Sequence, residues 1–407
     1  MKIGIFGGTF DPIHAGHIAI LEAAAGSGYL DMIIVIPTAH PPHKPKDQIS
    51  MASYRYEMTR IALDRIDFPV PVSLSNIELF RKGVSYTLDT IFELKSSFSP
   101  DDEFILIYGS DVVFEIENWY KPRRIMEICE LYLAARPGFT GTEFDKKVQY
   151  LKDEYSAKIR MFKSEKINIS SKEIREFFIE DPKKTSHYLT PALNQWITIN
   201  QIYSNLKYMK LLSEETFRLI LEYECSVQRI LDKERVIHSV NTMIESIKLA
   251  GIFNGDIQKS AIAGLIHDCA KSKTIEEGSN WLLINEPNLT GTSAPPDIIH
   301  AYIGRQIAID EFKIYDTDIL NAIYYHTTSR ANSSLLERII FVADKIEPSR
   351  TFPGIEDIRI VAYRNLDEGL RICLRDIIKL LYSRKKDPHP DTIKAFESLS
   401  CEGIELK

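Results

Sequence analysis

Residues 7–17, which read GGTFDPIHAGH, constrain the fold more than any other segment because they join a predicted strand at 2–6 to a predicted helix from about 17 to 28. The leading glycines permit a tight turn and a close approach to a phosphate. His14 and His17 stand at the start of the helix, where free backbone N–H groups attract anions. The segment therefore predicts a nucleotide site. The plainer alternative is that the glycines only make a turn and the histidines only cap the helix.

Short apolar segments alternate with helical patterns through the first half of the chain. The predicted strands are residues 2–6, 32–37, 70–74, 104–108, 131–135 and 158–162. The runs at 33–36 and 104–107 are almost continuously apolar, which is typical of strands buried on both faces of a parallel sheet. The pattern predicts a Rossmann-like, doubly wound α/β domain. Ligands of such sheets lie beyond the carboxyl ends of the strands, where residues 7–17, 37–44 and 109–111 would form one cleft.

Helical periodicity replaces this alternation after about residue 205. The predicted helices are residues 216–231, 235–250, 256–270, 297–312, 316–325, 335–346 and 366–382, and residues 383–390 are predicted to form a surface loop. A chain of 407 residues is also long for one domain. We therefore predict an α/β domain at 1–205 and an all-α domain at 206–407. No Gly/Ser- or Pro-rich linker marks the boundary, so the domains are expected to be closely coupled or joined by a helix.

Composition disfavours several classes of protein. The net charge of −7 and the pI near 5.9 argue against a nucleic-acid binder, which would normally be basic. No apolar run is long enough to span a bilayer and the first residues lack a signal-peptide pattern, so we expect a cytoplasmic protein without a membrane partner. The cysteines, at positions 129, 225, 269, 373 and 401, form no CxxC pair, which favours reduced thiols over disulfides or a zinc ribbon.

A second phosphate-binding element is predicted at residues 169–175. The hydroxyls of Ser170 and Ser171 would stand at a helix N-terminus, and Arg175 lies about one turn further on. The serines alone would suit ordinary helix capping, but together with the arginine and the first motif they favour phosphate binding. Lys44 follows a stiff Pro-Pro-His segment that can aim its ammonium group at a phosphate, although a lysine in such a place is commonly just solvated.

These segments resemble the nucleotidyltransferase superfamily, in which an HxGH element binds a nucleoside triphosphate, and within it the bacterial nicotinate-nucleotide adenylyltransferases. The motifs of that branch are PTAHPPHK at 37–44, SYTLDT at 85–90, GSD at 109–111, Trp119, RPG at 136–138 and ISSKEIR at 169–175. The resemblance covers about the first half of the chain. It implies transfer of AMP from ATP to nicotinate mononucleotide, which gives deamido-NAD and pyrophosphate.

The resemblance also implies roles for single residues. His14 and His17 would be the catalytic pair that holds the phosphates. Further contacts with ATP are expected from Gly7, Gly8, Thr9, Phe10, Lys44, Gly109, Asp111, Ser170, Ser171 and Arg175. The nicotinate nucleotide would be received by Thr87, Trp119 and Tyr120, where the indole either stacks on the pyridine ring or is only a packing residue. Mg²⁺ would be held mainly by triphosphate oxygens.

The second half places histidines and aspartates on successive predicted helices. They are His238, His267, Asp268, His300, His326 and Asp344. Imidazole and carboxylate ligands suit Fe, Mn or a similar divalent ion, and two ions bridged by one carboxylate serve phosphate-ester hydrolysis. Each histidine by itself would more often be a packing residue. Together the residues predict a pair of divalent ions.

The order H…HD…H…H…D resembles the HD-domain phosphohydrolases. The segments RVIHS at 235–239, AGLIHDCAK at 263–271, AIYYHTT at 322–328 and VADKIEPSR at 342–350 resemble the YqeK-type branch of that family. That branch splits diadenosine tetraphosphate symmetrically into two ADP. The resemblance therefore implies a second hydrolytic activity in the same chain.

The same resemblance assigns the metal ligands. A first ion would take His238, His267, Asp268 and Asp344, and a second would take His300 and His326. Asp268 would bridge the two ions and would be catalytic. Lys271 and Arg350 would contact substrate phosphates, unless they are ordinary surface charges.

The leading hypothesis is a bifunctional enzyme acting on ATP, nicotinate mononucleotide and diadenosine tetraphosphate, with homo-oligomerisation left open. One alternative keeps the adenylyltransferase but makes the HD half a nucleotide sensor without turnover, or a hydrolase of another nucleotide phosphate. Another changes the acceptor to phosphopantetheine or a pyrimidine nucleotide. A non-catalytic scaffold is disfavoured by the density of polar motifs.

Overall fold

The computed structural model describes residues 1–41, 45–46, 48–135, 141–165, 167–272 and 296–399. The chain divides into two compact units, Met1–Ser204 and Asn205–Lys407, which we call unit 1 and unit 2. Unit 1 contains a parallel sheet with helices, and the described part of unit 2 is helical. The predicted combination of an α/β domain followed by an all-α domain is confirmed.

Unit 1 is built on a six-stranded parallel sheet with the order β3-β2-β1-β4-β5-β6. The strands are β1 (Lys2–Gly8), β2 (Met32–Pro37), β3 (Val72–Leu74), β4 (Glu103–Gly109), β5 (Cys129–Ala135) and β6 (Lys158–Lys163). The nearly continuous apolar runs belong to β2 and β4, which flank β1 and have fully buried interiors. β3 begins at Val72 rather than at residue 70 because Pro71 has no N–H to donate and uses only its carbonyl, which accepts from Ile33.

The strand order changes direction between β1 and β4. On one side of this pair, β1 is followed in the sheet by β2 and β3, and on the other side β4 is followed by β5 and β6. Ligands of doubly wound sheets bind at the carboxyl edge beside such a switch point. Gly8 at the end of β1 pairs with Pro37 at the end of β2, so the segments that follow these strands start from the same edge.

The helices of unit 1 surround this sheet. They are α1 (Ala15–Ala25), α2 (Ala52–Leu63), α3 (Thr87–Lys95), α4 (Pro122–Ile128), α5 (Thr142–Tyr155), α6 (Ser171–Glu180) and α7 (Pro191–Ile199), with 3-10 helices at Ser110–Phe114, Ile116–Asn118 and Pro182–His187. Leu106 and Leu131 of the sheet share a buried core with Ile91 of α3 and Ile125 of α4. Helix α8 (Ile202–Met209) contains the boundary between the units.

Unit 2 consists of helices in the part of the chain that the structure describes. They are α9 (Glu214–Ile230), α10 (Lys233–Ile252), α11 (Ile257–Ile266), α12 (Pro296–Asp310), α13 (Thr317–Tyr325), α14 (Leu335–Ile346), α15 (Ile355–Arg364), α16 (Leu366–Ser383) and α17 (Pro390–Leu399). Phe341 and Val342 of α14 are fully buried and share a core with Leu370 and Leu374 of α16. The unit is thus organised around α14.

The main differences from the predicted helices concern the end of α11 and two helices that were not predicted. α11 ends at Ile266 instead of continuing to residue 270, because the chain turns at His267. Helices α15 and α17 were not predicted, and the predicted loop at 383–390 is bounded by Ser383 and Pro390, where α16 ends and α17 begins.

The described cysteines, which are Cys129, Cys225, Cys269 and Cys373, are buried free thiols, and Cys401 lies outside the described residues. Within the described ranges, no helix has the length and apolar character needed to cross a membrane.

Candidate functional site

The turn after β1, residues 9–14, is shaped by close contacts. A side chain at Gly8 would come within 2.7 Å of the Phe10 ring, and Phe10 has a left-handed backbone with a φ of 49°. His14 immediately precedes α1, and its backbone N–H donates to Nδ1 of His17 at 3.3 Å. The centroids of the two imidazole rings are 3.8 Å apart. The histidines therefore help to cap α1 and also lie together at its N-terminus, so the capping interpretation does not displace the phosphate-binding one.

Asp11 anchors this turn. Its carboxylate accepts hydrogen bonds from the Ser50 backbone N–H at 3.0 Å and the Ser50 hydroxyl at 2.5 Å. The Tyr203 hydroxyl lies 3.3 Å from the same carboxylate. Sequence analysis assigned no separate role to Asp11, although its place inside the first motif was a signal for one. Its contacts fix the turn that carries Phe10 and His14.

The predicted second phosphate element reaches the same turn. The Arg175 guanidinium donates to the Asp11 carbonyl at 2.7 Å, and the Ser171 hydroxyl donates to the Pro12 carbonyl at 3.0 Å. Ser170 instead caps α6, because its hydroxyl accepts from the Glu173 backbone N–H at 3.2 Å. The structure therefore brings residues 9–14 and the start of α6 together.

Arg55 of α2 is a contributor that sequence analysis missed. Its guanidinium is fully buried and donates to backbone carbonyls of Thr9 at 3.0 Å, of Ala39 at 2.5 Å and of Thr38. It thus ties together the segments that follow β1 and β2. A single arginine in an amphipathic helix gives no sequence signal for such a role.

The residues predicted to receive the nicotinate nucleotide follow other elements of unit 1. Thr87 begins α3, and Trp119 follows the 3-10 helix at Ile116–Asn118 and is partly buried against the core. Tyr120 is exposed, with its ring centroid 4.6 Å from that of Tyr86. Tyr108, which sequence analysis did not single out, has its ring 5.3 Å from that of Trp119.

Two more predicted contacts lie at the carboxyl edge of the sheet. Gly109 ends β4, and Asp111 lies in the 3-10 helix that follows it. Lys44 and the RPG segment at 136–138 lie outside the described residues. Unit 1 therefore presents the first motif, α6 and the GSD segment on one side of the sheet.

In unit 2 the predicted metal ligands come from five segments and are all buried. His238 lies on α10 and His300 on α12, whereas His326 directly follows α13. His267 and Asp268 occupy the turn after α11, and Asp344 lies on α14. Residues that lie as far apart in the sequence as His238 and Asp344 thus meet in one cluster, which we call the ligand cluster.

Asp268 stands at the centre of the ligand cluster. Its Oδ2 lies 3.8 Å from His238 Nε2 and 3.9 Å from His267 Nε2, whereas its Oδ1 lies 3.1 Å from His300 Nε2 and 3.3 Å from His326 Nε2. His238, His267 and Asp268 form one group able to hold a metal ion, and Asp268, His300 and His326 form another. The shared carboxylate would place one oxygen toward each ion.

Asp344 completes the first group. Its Oδ1 lies 3.1 Å from His238 Nε2 and 3.8 Å from His267 Nε2. The same oxygen accepts from Arg350 at 2.7 Å, and the other oxygen accepts from Lys345 at 2.6 Å. These cations lower the pKa of Asp344 well below its usual value, although burial alone would raise it.

Hydrogen bonds on the outer side of the rings fix which nitrogen faces inward. His267 Nδ1 lies 2.8 Å from the Gly264 carbonyl and His326 Nδ1 lies 2.7 Å from the Ile323 carbonyl. A carbonyl only accepts, so each Nδ1 must carry a proton and each Nε2 faces inward, toward the carboxylate oxygens of Asp268. A metal cation held between those nitrogens and oxygens would satisfy both.

Electrostatics support this assignment. Burial lowers the pKa of His267 to about 3 and that of His300 to about 4, so both imidazoles are neutral near pH 7. Although burial alone would raise the pKa of Asp268, the polar groups around it hold that pKa well below its usual value, so the carboxylate is ionised near pH 7. Neutral imidazoles beside ionised carboxylates are the donor set that divalent transition metals prefer.

Glu347 supports the cluster from outside, and sequence analysis did not find it. Its Oε1 lies 3.1 Å from His238 Nδ1, and its Oε2 accepts from the Asn241 amide at 3.1 Å. The carboxylate is fully buried and also accepts from the Ser349 hydroxyl at 2.5 Å. The only signal in the sequence was its position three residues after Asp344 in the VADKIEPSR segment.

Basic side chains border the ligand cluster. The two residues predicted to contact phosphates both lie at this border, since Lys271 Nζ lies 3.1 Å from His300 Nε2 and Arg350 donates to Asp344. Two further cations were missed, which are Arg235, whose Nη1 lies 3.2 Å from Asp268 Oδ2, and Lys345. The cluster therefore combines buried ligands with partly exposed positive charge.

Comparison with known proteins agrees with the division into two units. A cytidylyltransferase-like family model matches residues 5–177, and an HD domain model matches residues 235–349. A probable nicotinate-nucleotide adenylyltransferase of Carboxydothermus hydrogenoformans is 38% identical over 202 residues, which is 50% of this chain and 98% of that protein. A probable nicotinate-nucleotide adenylyltransferase of Lachnoclostridium phytofermentans is 34% identical over 202 residues, which is again 50% of this chain and 98% of that protein.

Among solved structures, a protein of Clostridium acetobutylicum described as a predicted HD superfamily hydrolase involved in NAD metabolism is 35% identical. The match covers 44% of this chain and 95% of that chain, with a TM-score of 0.40.

Proposed function

Because the first half of the chain belongs to the nicotinate-nucleotide adenylyltransferase family, we propose that unit 1 transfers AMP from ATP to nicotinate mononucleotide. The bond between the α-phosphorus and the pyrophosphate oxygen breaks, and a bond from the acceptor phosphate to that phosphorus forms. The products are deamido-NAD and pyrophosphate. The observation that carries this proposal is the contact of Ser171 and Arg175 with the turn that leads to His14 and His17.

The reaction needs little covalent help from the protein, because its main demands are alignment and stabilisation of the charge that moves onto pyrophosphate. His14 and His17 would hold the β- and γ-phosphates at the N-terminus of α1, where the backbone N–H groups of the turn add donors. Arg175 would turn part of its guanidinium to the same phosphates while it holds the Asp11 carbonyl. Lys44 is assigned to the phosphates by its motif alone.

The acceptor would bind beside the GSD segment. Trp119 would stack on the pyridine ring, while Thr87 and Tyr120 would meet the nicotinate carboxylate. Asp111 would accept hydrogen bonds from the adenosine ribose, since it follows the strand next to the first motif. These roles rest on the resemblance to the family and on positions in the fold.

Mg²⁺ would enter unit 1 with ATP. The ion would be held mainly by triphosphate oxygens and water, because Mg²⁺ gives up its hydration shell reluctantly. Its role would be to neutralise the triphosphate, while the protein aligns the reacting groups.

The purified full chain tests this proposal when it is incubated with ATP, Mg²⁺ and one acceptor at a time. We expect deamido-NAD from nicotinate mononucleotide and a much slower reaction with nicotinamide mononucleotide. Phosphopantetheine and a pyrimidine nucleotide serve as competing acceptors. Faster consumption of either competitor would overturn the proposal, because the fold of unit 1 would then serve another branch of the superfamily.

We also propose that unit 2, which contains an HD domain, hydrolyses diadenosine tetraphosphate symmetrically into two ADP at a pair of divalent ions. The observation that carries this proposal is the central position of Asp268, whose two oxygens face two different groups of histidines. Water would attack one of the two inner phosphorus atoms, and the bond between that phosphorus and the oxygen bridging the inner phosphates would break.

The residues present fit two ions. The inward Nε2 atoms of His238 and His267 are buried without hydrogen-bond donors opposite them, and the carboxylates that face them can only accept. Imidazole with carboxylate suits Fe or Mn, which is our assignment. When bound, such ions polarise a phosphate and provide an activated water.

The chain's own residues would position the ions and bind the substrate. Asp268 would hold both ions at a fixed separation, and Glu347 would keep the His238 ring oriented. Arg350 and Lys271 would bind the phosphates of the substrate, because they are partly exposed cations at the border of the ligand cluster. Lys271 lies beside His300 of one group of ligands and Arg350 beside Asp344 of the other, so each group has a cation at its border.

Product analysis tests this second proposal. The full chain, loaded with Fe²⁺ or Mn²⁺, should convert diadenosine tetraphosphate to ADP alone. A mixture of AMP and ATP would contradict symmetrical cleavage. Tight binding of the substrate without any product, at full metal content, would favour the nucleotide sensor instead.

A further inference from the structure

Arg359 lies on α15, beyond residue 349, where the match with the HD domain model ends. Its side chain is buried, which is unusual for an arginine. The guanidinium pairs with Glu356 of its own helix through Nη1, and its other nitrogens donate to the chain that follows α14. Because a buried cation is costly unless its donors are used, the groups that it holds indicate what it does.

Three hydrogen bonds join the Arg359 guanidinium to backbone carbonyls at the end of α14. Nε donates to the Ile346 carbonyl at 2.8 Å. Nη2 donates to the Glu347 carbonyl at 2.7 Å and to the Arg350 carbonyl at 3.0 Å. Glu347 leaves the helix with a ψ of 154°, because Pro348 follows it. The last carbonyls of a helix lack donors within the helix, so Arg359 acts as a side-chain cap of α14.

The turn at 347–350 also carries a side chain to the ligand cluster. Glu347 Oε1 lies 3.1 Å from His238 Nδ1, on the opposite side of the ring from the inward Nε2. The Glu347 carboxylate accepts from the Ser349 backbone N–H at 2.7 Å and from its hydroxyl at 2.5 Å. The Arg350 backbone N–H donates to the Glu347 carbonyl at 3.0 Å. The turn is therefore closed by its own hydrogen bonds, and Arg359 holds the carbonyls at both of its ends.

We propose that Arg359 is a positioning residue of the ligand cluster, which fixes the turn at 347–350 so that Glu347 holds the His238 ring toward the first ion. This inference rests on the metal pair proposed for unit 2. Arg359 would act through the backbone of the turn and not as a metal ligand. The consequence is that the metal centre depends on a helix outside the residues that the HD domain model matches.

Two substitutions and a control separate this role from capping alone. Arg359→Met keeps a long apolar stem and removes every donor. Arg359→Lys keeps the positive charge, but a single ammonium cannot reproduce the fork of the guanidinium. Arg371→Met is the matched control, because Arg371 of α16 donates through Nε and Nη2 to Glu368 of its own helix. Far-ultraviolet circular dichroism and thermal unfolding identify the variants that fold.

The measurement is a titration of the full chain with Co²⁺, whose visible absorption depends on its ligands. Each change at 359 is made in two backgrounds. His326→Ala removes a ligand of the second ion and leaves the first to be measured, whereas His238→Ala does the reverse. In the His326→Ala background we expect Arg359→Met to weaken Co²⁺ binding by about 10- to 100-fold and to alter the absorption spectrum, because His238 loses its fixed orientation.

In the His238→Ala background Arg359→Met should leave the affinity for Co²⁺ unchanged. Arg359→Lys should give an affinity at the first site between those of the methionine variant and the unsubstituted residue, and Arg371→Met should change neither site. Glu347→Ala combined with Arg359→Met should bind the first ion little more weakly than Glu347→Ala alone, since Arg359 acts through Glu347. A general loss of stability would instead add to the effect of Glu347→Ala.

The inference is overturned if folded Arg359→Met binds Co²⁺ at the first site with full affinity, if both sites weaken equally, or if the changes at 347 and 359 are additive. Arg359 would then be only a helix cap. Should Arg359→Met fail to fold, the same comparisons with Arg359→Lys decide the question. These results would leave the metal pair and the proposed hydrolysis intact. A chain without any substitution that binds no divalent ion would instead overturn the function proposed for unit 2, and this inference with it.

Discussion

At the residue scale, the imidazoles of His14 and His17 have two proposed roles, which are capping of α1 and binding of phosphate. His17 accepts a hydrogen bond from the His14 backbone through Nδ1, and the two tilted rings lie with their centroids 3.8 Å apart at the start of α1. The same position places both rings where a helix N-terminus favours anions. A substitution here would therefore remove a helix cap and the proposed phosphate contact together. The two losses are distinguishable, because only the loss of the phosphate contact affects the reaction rate directly.

Replacement of His17 by Ala should lower the rate of adenylyl transfer by about 10²- to 10³-fold, which is typical when a group that stabilises transition-state charge is lost. Hydrolysis of diadenosine tetraphosphate should remain near the level of the unsubstituted chain, since its proposed ligands lie in unit 2. Steady-state assays of both reactions on one preparation provide the measurement. His187→Ala, at an exposed histidine of unit 1, is the control. Full synthesis of deamido-NAD by His17→Ala would refute the assignment.

Glu347 allows a second prediction at this scale. Glu347→Ala should weaken binding of the ion placed at His238 by about 10- to 100-fold, because the ring loses the group that orients it. Glu347→Gln should retain part of that affinity, since its amide oxygen still accepts from Nδ1. Metal titration of the folded variants checks this. Equal affinity in Glu347→Ala and the unsubstituted chain would show that the carboxylate only fills the core.

The candidate ligands and the motif residues could be singled out in the sequence because their types and spacing are unusual, whereas Arg55 and Glu347 could not. Arg55 acts through backbone carbonyls of residues far away in the sequence, and Glu347 meets a ring 109 positions earlier. A single arginine or glutamate forms no sequence motif, so the sequence alone does not indicate such a contact. Only the folded chain shows what surrounds it.

At the scale of elements, α10 and α11 carry His238 and lead into His267, so their separation sets the geometry of the ligand cluster. Gly264 of α11 allows a close approach, because a side chain there would come within 2.8 Å of the Met243 backbone of α10. The contact involves backbone atoms, which cannot swing away as a side-chain end would. The glycine therefore controls the distance between the two helices.

Gly264→Ala should destabilise unit 2 by about 1–3 kcal/mol through overpacking and should also reduce its metal content. Gly251→Ala is the matched control on α10, since a side chain there would meet only a Leu211 methyl group at 4.0 Å. Thermal unfolding with metal analysis compares the two variants. Equal stability and metal content in both would show that the helices adjust without loss.

Periodicity predicted which segments form strands and helices but not where all of them end. The strands β2 and β4 were evident from their continuous apolar character. The end of α11 at Ile266 was not, because residues up to 270 continue the apolar pattern while the chain turns to present His267 and Asp268. The helix Ile355–Arg364 was not predicted, and it begins after Gly354, which has no capping side chain to mark a helix start in the sequence.

At the scale of the whole molecule, the two proposed reactions use metal ions differently. Unit 1 would receive Mg²⁺ with its substrate, whereas unit 2 would hold two resident ions in a buried cluster. Prolonged treatment with a chelator should therefore abolish hydrolysis. Adenylyl transfer should return as soon as Mg²⁺ and ATP are supplied, and hydrolysis should return only with Fe²⁺ or Mn²⁺. Recovery of hydrolysis with Mg²⁺ alone, at its original rate, would contradict the assignment of the ions.

The most direct test of the central claim, that one chain holds an adenylyltransferase site and a separate two-ion hydrolase site, is Asp268→Asn. Its metal content and both sets of products are measured on one preparation, with Asp318→Asn as the control at an exposed carboxylate. A neutral amide is a poor bridge between cations. We therefore predict less bound metal, no ADP from diadenosine tetraphosphate and undiminished deamido-NAD. A folded Asp268→Asn protein with full metal content that still yields two ADP per substrate would contradict the account.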